Sequence, residues 1–116
     1  MQAAQIFESL AQLRPTRAFP YVGMAVLHLN RQQPDQAVTA LERGQRLMES
    51  VKDPRGTALE EERGILWAWK GVALQMAGRE SESVRALQQS QSCVVQGATA
   101  DMVARMLGQR DEEVKT

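Results

Sequence analysis

The sequence predicts an all-α protein of about six helices, arranged as an α-solenoid of antiparallel helix hairpins. Apolar residues recur at spacings of three and four along most of the chain, which is the helical period. No run of β-branched residues is longer than two, so no strand is predicted. A five-position pattern also occurs twice at a fixed offset. A repeat unit cannot bury its apolar face alone, so we expect the two copies to stack and to leave a binding face.

The repeated pattern is an aromatic residue, a small residue one helical turn later, and then small, large and small residues on the next helix. The first copy consists of Tyr21, Ala25, Ala37, Leu41 and Gly44. The second copy consists of Trp67, Gly71, Ser83, Leu87 and Ser90. Each position of the second copy follows its counterpart in the first by the same number of residues, the number that separates Tyr21 from Trp67. We call this number the repeat offset. Each copy therefore predicts one helical hairpin.

Three helices are predicted before residue 51. The first, residues 2–13, carries its apolar residues on one face and ends before Pro15, because the residue before a proline avoids the helical region. The second spans residues 18–31, with Pro20 in its first turn, where a missing N–H is tolerated. After a short turn, the third runs from Pro34 to about residue 50.

Three more helices are predicted in the second half. Residues 51–56 contain both proline and glycine and indicate a loop. Thr57 and the glutamate three residues later match a capping box, so a long helix should begin near residue 58 and end at Gly78. The next helix spans residues 80–95, and the last spans about 98–109. The tail, residues 111–116, is expected to fray.

Composition and charge exclude several functional classes. At 116 residues the chain predicts a single domain, residues 1–110. Lys plus Arg (14) equals Asp plus Glu (14) and the charges are evenly spread, so nucleic-acid binding, which needs a basic stripe, is not expected. No signal peptide and no apolar run of about 18 residues is present, which predicts a cytoplasmic protein with no membrane insertion.

No catalytic, metal or cofactor site is predicted. His28 is the only histidine and lies inside a helix, with no cysteine or carboxylate cluster beside it. Cys93 is the only cysteine, which excludes an internal disulfide; a small apolar role on a helix is favoured over pairing with another chain. The acidic run at residues 60–62 is interpreted as a solvated helix start rather than a metal site. The sequence therefore favours a non-enzyme.

The second copy resembles the tetratricopeptide repeat, whose pattern runs W-x₂-L-G-x₂-Y, then A-x₃-F, then P, over about 34 residues. Residues 67–74 resemble its first helix, Gly78 its turn glycine and residues 83–87 its second helix. The offset in this chain is longer than the family's period, and we place the excess around the loop at residues 51–56.

The first copy follows the same family pattern, and a half repeat precedes it. In the first copy the matching positions are Tyr21, Met24, Ala25 and residues 37–41. In the half repeat they are Ala3, Phe7, Leu10 and Pro15. The resemblance implies the following units: half repeat 2–15, repeat 18–50, repeat 57–95 and C-terminal helix 97–109. In size and repeat count the chain also resembles small chaperones and apparatus proteins of bacterial type III secretion.

The resemblance implies that the first helix of each hairpin lines a concave face, while the small residues allow the paired helices to approach closely. The stripe expected to bind a partner is apolar: Phe19, Val22, Val26, Leu29, Ile65, Ala68, Trp69, Val72 and Met76. Family members that clamp a peptide carboxylate place Lys, Asn and Arg on such positions, so that mechanism is not expected here. An apolar groove instead suits an amphipathic helix or hydrophobic segment of a protein partner.

Two alternatives remain open from the sequence. The terminal helices, residues 2–13 and 98–109, could cover the apolar stripe and turn it into core. The last helix could also cap the stack, or the chain could be a structural subunit that forms a homodimer through its terminal helices. The sequence identifies neither the partner nor the oligomeric state.

Overall fold

The computed structural model describes residues 3–13, 17–49, 57–93 and 97–115, with the backbone alone at residues 57, 58 and 109–115. Within these ranges the chain forms helices and no strand, which confirms the all-α prediction. The helices are α1 (Ala3–Leu13), α2 (Phe19–Asn30), α3 (Pro34–Glu49), α4 (Thr57–Met76), α5 (Glu80–Ser92) and α6 (Ala98–Lys115). The predicted loop at residues 51–56 and the side chain of the predicted cap, Thr57, lie outside the described part.

Two helix ends lie clearly away from their predicted positions, while the others agree closely. Helix α5 ends at Ser92 rather than at residue 95, because Cys93 has an extended backbone (φ −91°, ψ 160°). Helix α6 continues to Lys115, through residues 111–115 that were expected to form a frayed tail. No glycine or proline follows Gly108 to interrupt it.

The turns that close the two hairpins have the same backbone hydrogen bonds. In the first, the Gln33 N–H donates to the His28 carbonyl at 2.8 Å. In the second, the Arg79 N–H donates to the Leu74 carbonyl at 2.9 Å. The residue before each donor is left-handed, with φ 58° at Gln32 and 78° at Gly78. These paired positions have the offset of the sequence repeat, so the repeat includes the turn geometry as well as the five core positions.

Within each hairpin the small residues lie where the helices approach closely. A β-carbon at Gly44 would lie 2.7 Å from Cδ2 of Tyr21, and one at Gly71 would lie 2.6 Å from Cδ2 of Leu87. In the second hairpin the Ser83 hydroxyl also donates to the Gly71 carbonyl at 2.7 Å. A side chain added at either glycine would therefore collide with the facing helix, because protein interiors are close-packed.

Contacts between helices follow chain order, and alternate helices meet on one side of the molecule. Each helix contacts the next, α2 also contacts α4, and α4 also contacts α6. Among the described residues, α1, α3 and α5 do not contact one another through their backbones. Helices α2, α4 and α6 therefore form one row, and α2 and α4 present neighbouring faces.

The two terminal helices pack at opposite ends. Helix α1 places Phe7 against Gly23 of α2, and Glu8 accepts two hydrogen bonds from Arg43, at 2.6 and 2.8 Å. Helix α6 buries Val103 against Ala68 and Leu87. Met102, Met106 and Leu107 pack around the same small core.

Candidate functional site

Seven of the nine predicted partner-binding residues retain exposed surface. Phe19 is 51% exposed and Met76 is 55% exposed. The other five are half-buried: Val22, Val26, Ile65, Trp69 and Val72. These residues lie on α2 and α4, the two helices that the sequence expected to form the binding face.

Leu29 and Ala68 do not belong to an exposed stripe. Leu29 is only 9% exposed and lies in the main hydrophobic core. Ala68 is fully buried beneath Val103 of α6 and beside Leu87. Helix α2 is apolar on two faces, so spacing alone does not distinguish its core side from its outer side. We therefore remove both residues from the candidate surface.

A cleft of about 510 Å³ lies between the first turns of α2 and the second turn of α4. We call it the α2–α4 cleft; its lining residues are Arg17, Ala18, Phe19, Val22, Glu62 and Ile65. Three of them, Phe19, Val22 and Ile65, were predicted from the sequence. Ile65 follows Phe19 at the repeat offset, so equivalent positions of the two hairpins share this cleft. Its wall is apolar, and an ion pair lies at its edge.

Glu62 of α4 connects to the start of α2 at the edge of the cleft. One carboxylate oxygen accepts the backbone N–H of Ala18 at 2.8 Å, and the other accepts a hydrogen bond from Arg17 at 3.2 Å. The side chain is only 18% exposed, so this glutamate is not part of a solvated run as the sequence suggested. The carboxylate lies at the N-terminus of α2, where the helix dipole favours negative charge. It thereby ties α2 to α4 beside the apolar wall.

Within the described ranges, neither terminal helix covers the α2–α4 cleft. Among the described residues, α1 makes backbone contacts with α2 alone, and α6 makes them with α4 and α5 alone. No terminal-helix residue whose side chain the structure describes lines the cleft. The alternative in which residues 2–13 or 98–109 fill the groove is therefore supported only at Ala68, which α6 covers.

A second cleft, of about 310 Å³, opens between α3, α4 and α5, and we call it the charged cleft. Its apolar lining is Val38, Trp67, Leu74 and Ala86, and its polar lining is Glu42, Lys70, Arg79, Glu82, Arg85 and Gln89. The Lys70 ammonium lies 4.9 Å from the centre of the Trp67 ring. Sequence reasoning missed this site and treated Trp67 as core, because the charges come from three helices and share no local pattern.

His28 and Cys93, also considered in the sequence analysis, lie at the surface, one beside a hairpin turn and the other at a helix end. His28 makes a hydrogen bond of 3.2 Å with Gln33 across the first turn, and Cys93 is half-buried beside α6. Burial raises the pKa of the Cys93 thiol, which makes it less reactive. In the part of the chain that the structure describes, no three His, Cys, Asp or Glu residues are grouped to hold a metal ion.

Searches beyond the chain itself leave its family open. Comparison with known protein families, with curated proteins and with solved structures finds no match. No helix within the described ranges combines the length and apolarity that a membrane crossing requires.

Proposed function

We propose that this chain is a tetratricopeptide-like solenoid that binds a protein partner and shields an apolar or amphipathic segment of it. The observation that carries the proposal is the α2–α4 cleft, an apolar wall that the described residues of the terminal helices leave open. A half-exposed phenylalanine at its mouth, Phe19, is the kind of residue that anchors a partner.

The solenoid part of the proposal is supported by the row of alternate helices and by the matching turns. Helices α2, α4 and α6 meet along one side, as the first helices of stacked hairpins would. The turns at Gln32 and Gly78 share their hydrogen bonds and their left-handed backbone. On this interpretation α6 occupies the position of the next first helix and closes the stack.

The energetics favour a partner segment longer than the cleft itself. Fully burying one large apolar side chain contributes about 1.5–3 kcal/mol, whereas association costs at least about 4 kcal/mol. Phe19, Val22 and Ile65 are already partly buried in the chain, so covering them with a partner gains only part of this free energy. These three residues alone therefore suffice only for weak binding. The stripe continues along α4 at helical spacing through Trp69, Val72 and Met76. An amphipathic helix, with anchors three or four residues apart, matches such a surface.

The type III secretion identity stays a prediction from resemblance. If the chain is a type III secretion chaperone, the segment that it binds belongs to an exported protein. Assigning this role requires that the bound protein be identified.

The test begins with a photo-crosslinking amino acid at Phe19 in the native host, to capture the partner, and the same group at Leu47 as the control. Leu47 is also exposed (36%) but lies on α3. The captured protein is then purified and titrated by calorimetry against the wild-type chain and the Phe19→Asp and Leu47→Asp variants. We expect Phe19→Asp to weaken binding at least tenfold and Leu47→Asp to leave it unchanged. Equal affinities for the two variants would refute the cleft as the binding site.

A second candidate function is a structural subunit that self-associates. It is favoured by two exposed apolar side chains on α1, Ile6 (44%) and Leu13 (77%). Helix α6 is a weaker candidate for the contact, because its described apolar residues already pack on Ala68 and Leu87. Sedimentation equilibrium distinguishes the two functions. A dimer that dissociates in the Ile6→Glu, Leu13→Glu double variant favours the structural subunit, and a wild-type monomer excludes it.

A further inference from the structure

The two terminal helices are held to the hairpins in different ways. Helix α1 is joined to α3 by the two hydrogen bonds from Arg43 to Glu8. Polar bonds also join α4 to the start of α2, to α3 and to α5, as in the hydrogen bond of 2.8 Å from the Ser90 hydroxyl to the Gly64 carbonyl. The side chains that the structure describes in α6 make no hydrogen bond or ion pair with another helix. Apolar packing alone therefore holds the described part of α6.

The apolar contact beneath α6 is small. Among the side chains described in α6, Val103 alone is fully buried, and it lies over Ala68 and Leu87. Three half-buried residues complete the contact: Met102, Met106 and Leu107. The main core, by comparison, takes buried residues from every helix from α1 to α5. A helix held by few buried apolar contacts opens more readily than the core, so α6 is the element that should detach first.

The packing under α6 is also incomplete. At the first hairpin, Leu66 of α4 is fully buried, and its Cδ1 lies 3.2 Å from the place of a β-carbon added at Gly44 of α3. Ser90 of α5 follows Gly44 at the repeat offset, but beside it a cleft of about 310 Å³ opens between α5 and α6. On the α6 side, the described lining of this cleft is Ala100 and Val103. Helix α6 therefore fills its place against the second hairpin less completely than α4 fills the equivalent place against the first, and it forfeits the corresponding van der Waals contacts.

The face beneath α6 continues the proposed partner surface. Ala68 lies three residues after Ile65 and four before Val72, so the three share one side of α4. Ile65 and Val72 keep exposed surface, whereas Ala68 is fully buried beneath Val103. Removal of α6 would therefore extend the exposed apolar stripe across Ala68 to Leu87 of α5.

We propose that α6 is a displaceable cap, which detaches from α4 and α5 as a unit and is replaced over Ala68 and Leu87 by an amphipathic helix of the protein partner. Helix α6 itself shows what this face accepts, because its large apolar residues at positions 102, 103, 106 and 107 have the spacing of one helical face. The nature of the incoming helix rests on the proposed function, whereas the detachment of α6 depends on this interface alone. In the free chain the cap keeps the apolar face out of water, and the apparent affinity for a partner is reduced in proportion to the fraction of chains whose cap is open.

The test uses a fluorescein-labelled peptide of residues 97–115 as the incoming helix, titrated with the full chain and followed by anisotropy. The wild-type chain is compared with Val103→Asp, which puts a charge beneath α6 and should release the cap, and with Ala104→Asp, which puts the same charge on the exposed side of α6. A second peptide carries the Val103→Asp change itself. Circular dichroism verifies that both variants are folded, and Val103→Ala, with a smaller expected change, replaces Val103→Asp if that variant unfolds.

We expect the native peptide to bind Val103→Asp at least about tenfold more tightly than the wild type, and the wild type and Ala104→Asp to agree within about twofold. Binding to the wild type should still be saturable, because its own α6 yields to the peptide, and the altered peptide should not bind. Three results would overturn the proposal: no saturable binding to the wild-type chain, equal affinity for the wild type and Val103→Asp, or equal binding of the two peptides. The crosslinking experiment at Phe19 succeeds or fails independently of these titrations, which separates a failure of this inference from a failure of the proposed function.

Discussion

The two hairpins share a sequence pattern and a turn geometry, yet they use their aromatic residues differently. In the first hairpin Tyr21 is fully buried and lies against Gly44. In the second, the equivalent Trp67 is half-buried and faces the charged cleft beside Lys70. The same position of a repeat therefore serves as core in one hairpin and as part of a surface cleft in the other.

The difference extends to the polar groups around each aromatic residue. Arg43 pairs with Glu8 of α1 near Tyr21, and the equivalent position near Trp67 is the uncharged Gln89. Helix α1 thus contributes an ion pair on the first hairpin that has no counterpart on the second. The two copies of the repeat differ at these positions because each hairpin packs against a different neighbouring helix.

The largest effects on stability are expected from substitutions at the buried positions that the two hairpins share. Leu41 and Leu87 are equivalent and fully buried, so replacing either with alanine should lower the free energy of unfolding by about 2–5 kcal/mol. If the hairpins are equivalent units, the two losses should agree closely in urea denaturation followed by circular dichroism. A loss confined to one of them would mean that one hairpin alone supports the cooperative fold.

Gly71 provides a second comparison of the two hairpins, because the equivalent residue of the first hairpin is Ala25. A methyl group at Gly71 would collide with Leu87, so Gly71→Ala should destabilise the wild-type chain by about 1–3 kcal/mol. In a Leu87→Ala background the collision with Leu87 disappears and the Ser83 carbonyl oxygen, 3.3 Å away, is the close contact that remains. The helix propensity of alanine, worth up to about 1 kcal/mol, should then offset most of the cost of Gly71→Ala. A double-mutant cycle measures this coupling, and additive effects would contradict the close approach of Gly71 and Leu87.

A smaller effect is expected at the turns. Gln32 and Gly78 have the same left-handed backbone, which favours glycine. Gln32→Gly should therefore raise the free energy of unfolding by about 0.5–1 kcal/mol, whereas Gly78→Gln should lower it by about 1–2 kcal/mol. Both side chains are exposed, so packing contributes little. Thermal and urea unfolding measure both changes, and the same sign for the two would show that the turns are not equivalent.

Much of the helical architecture could be predicted from the sequence, because helix ends and hairpin turns depend on local spacing. Pro34 begins α3 and Gly78 occupies the second turn, as local turn chemistry predicts. The assignment of helix faces was less accurate. Leu29 and Ala68 have the spacing of the exposed stripe, yet both lie in the core, and only the arrangement of neighbouring helices distinguishes the two environments.

The polar features of both clefts could not have been predicted from local patterns. Glu62 meets the N-terminus of α2 across 44 residues of sequence, and Lys70 meets Gln45 across 25. Such pairs depend on the relative placement of separate hairpins, which residue spacing does not report. The apolar wall at Phe19 and Ile65 was predicted because equivalent positions of a repeat lie side by side when the hairpins stack.

The smallest expected effect tests the ion pair that distinguishes the first hairpin. The hydrogen bonds from Arg43 are the main reason that the pKa of Glu8 lies below its usual value of 4.5. A lowered folded-state pKa means that the pair stabilises the fold above the unfolded pKa and that this stabilisation is lost as the pH falls through the folded pKa. Both side chains are about 40% exposed (39% and 41%), so the contribution at pH 7 should be below about 1 kcal/mol.

Glu8→Gln should therefore lower the melting temperature slightly at pH 7 and low salt, and the gap from wild type should close between pH 5 and pH 3, about the window in which a carboxyl group of this kind takes up its proton. Glu61→Gln, an exposed glutamate on α4 that makes no ion pair with a described residue, is the matched control and should show a smaller gap at pH 7. A Glu8→Gln gap that persists at pH 3 would contradict the ion pair, because glutamate and glutamine have the same aliphatic part and differ little in charge once the carboxyl group is protonated. The first hairpin would then differ from the second only in its buried tyrosine, because the charge pair would contribute nothing of its own.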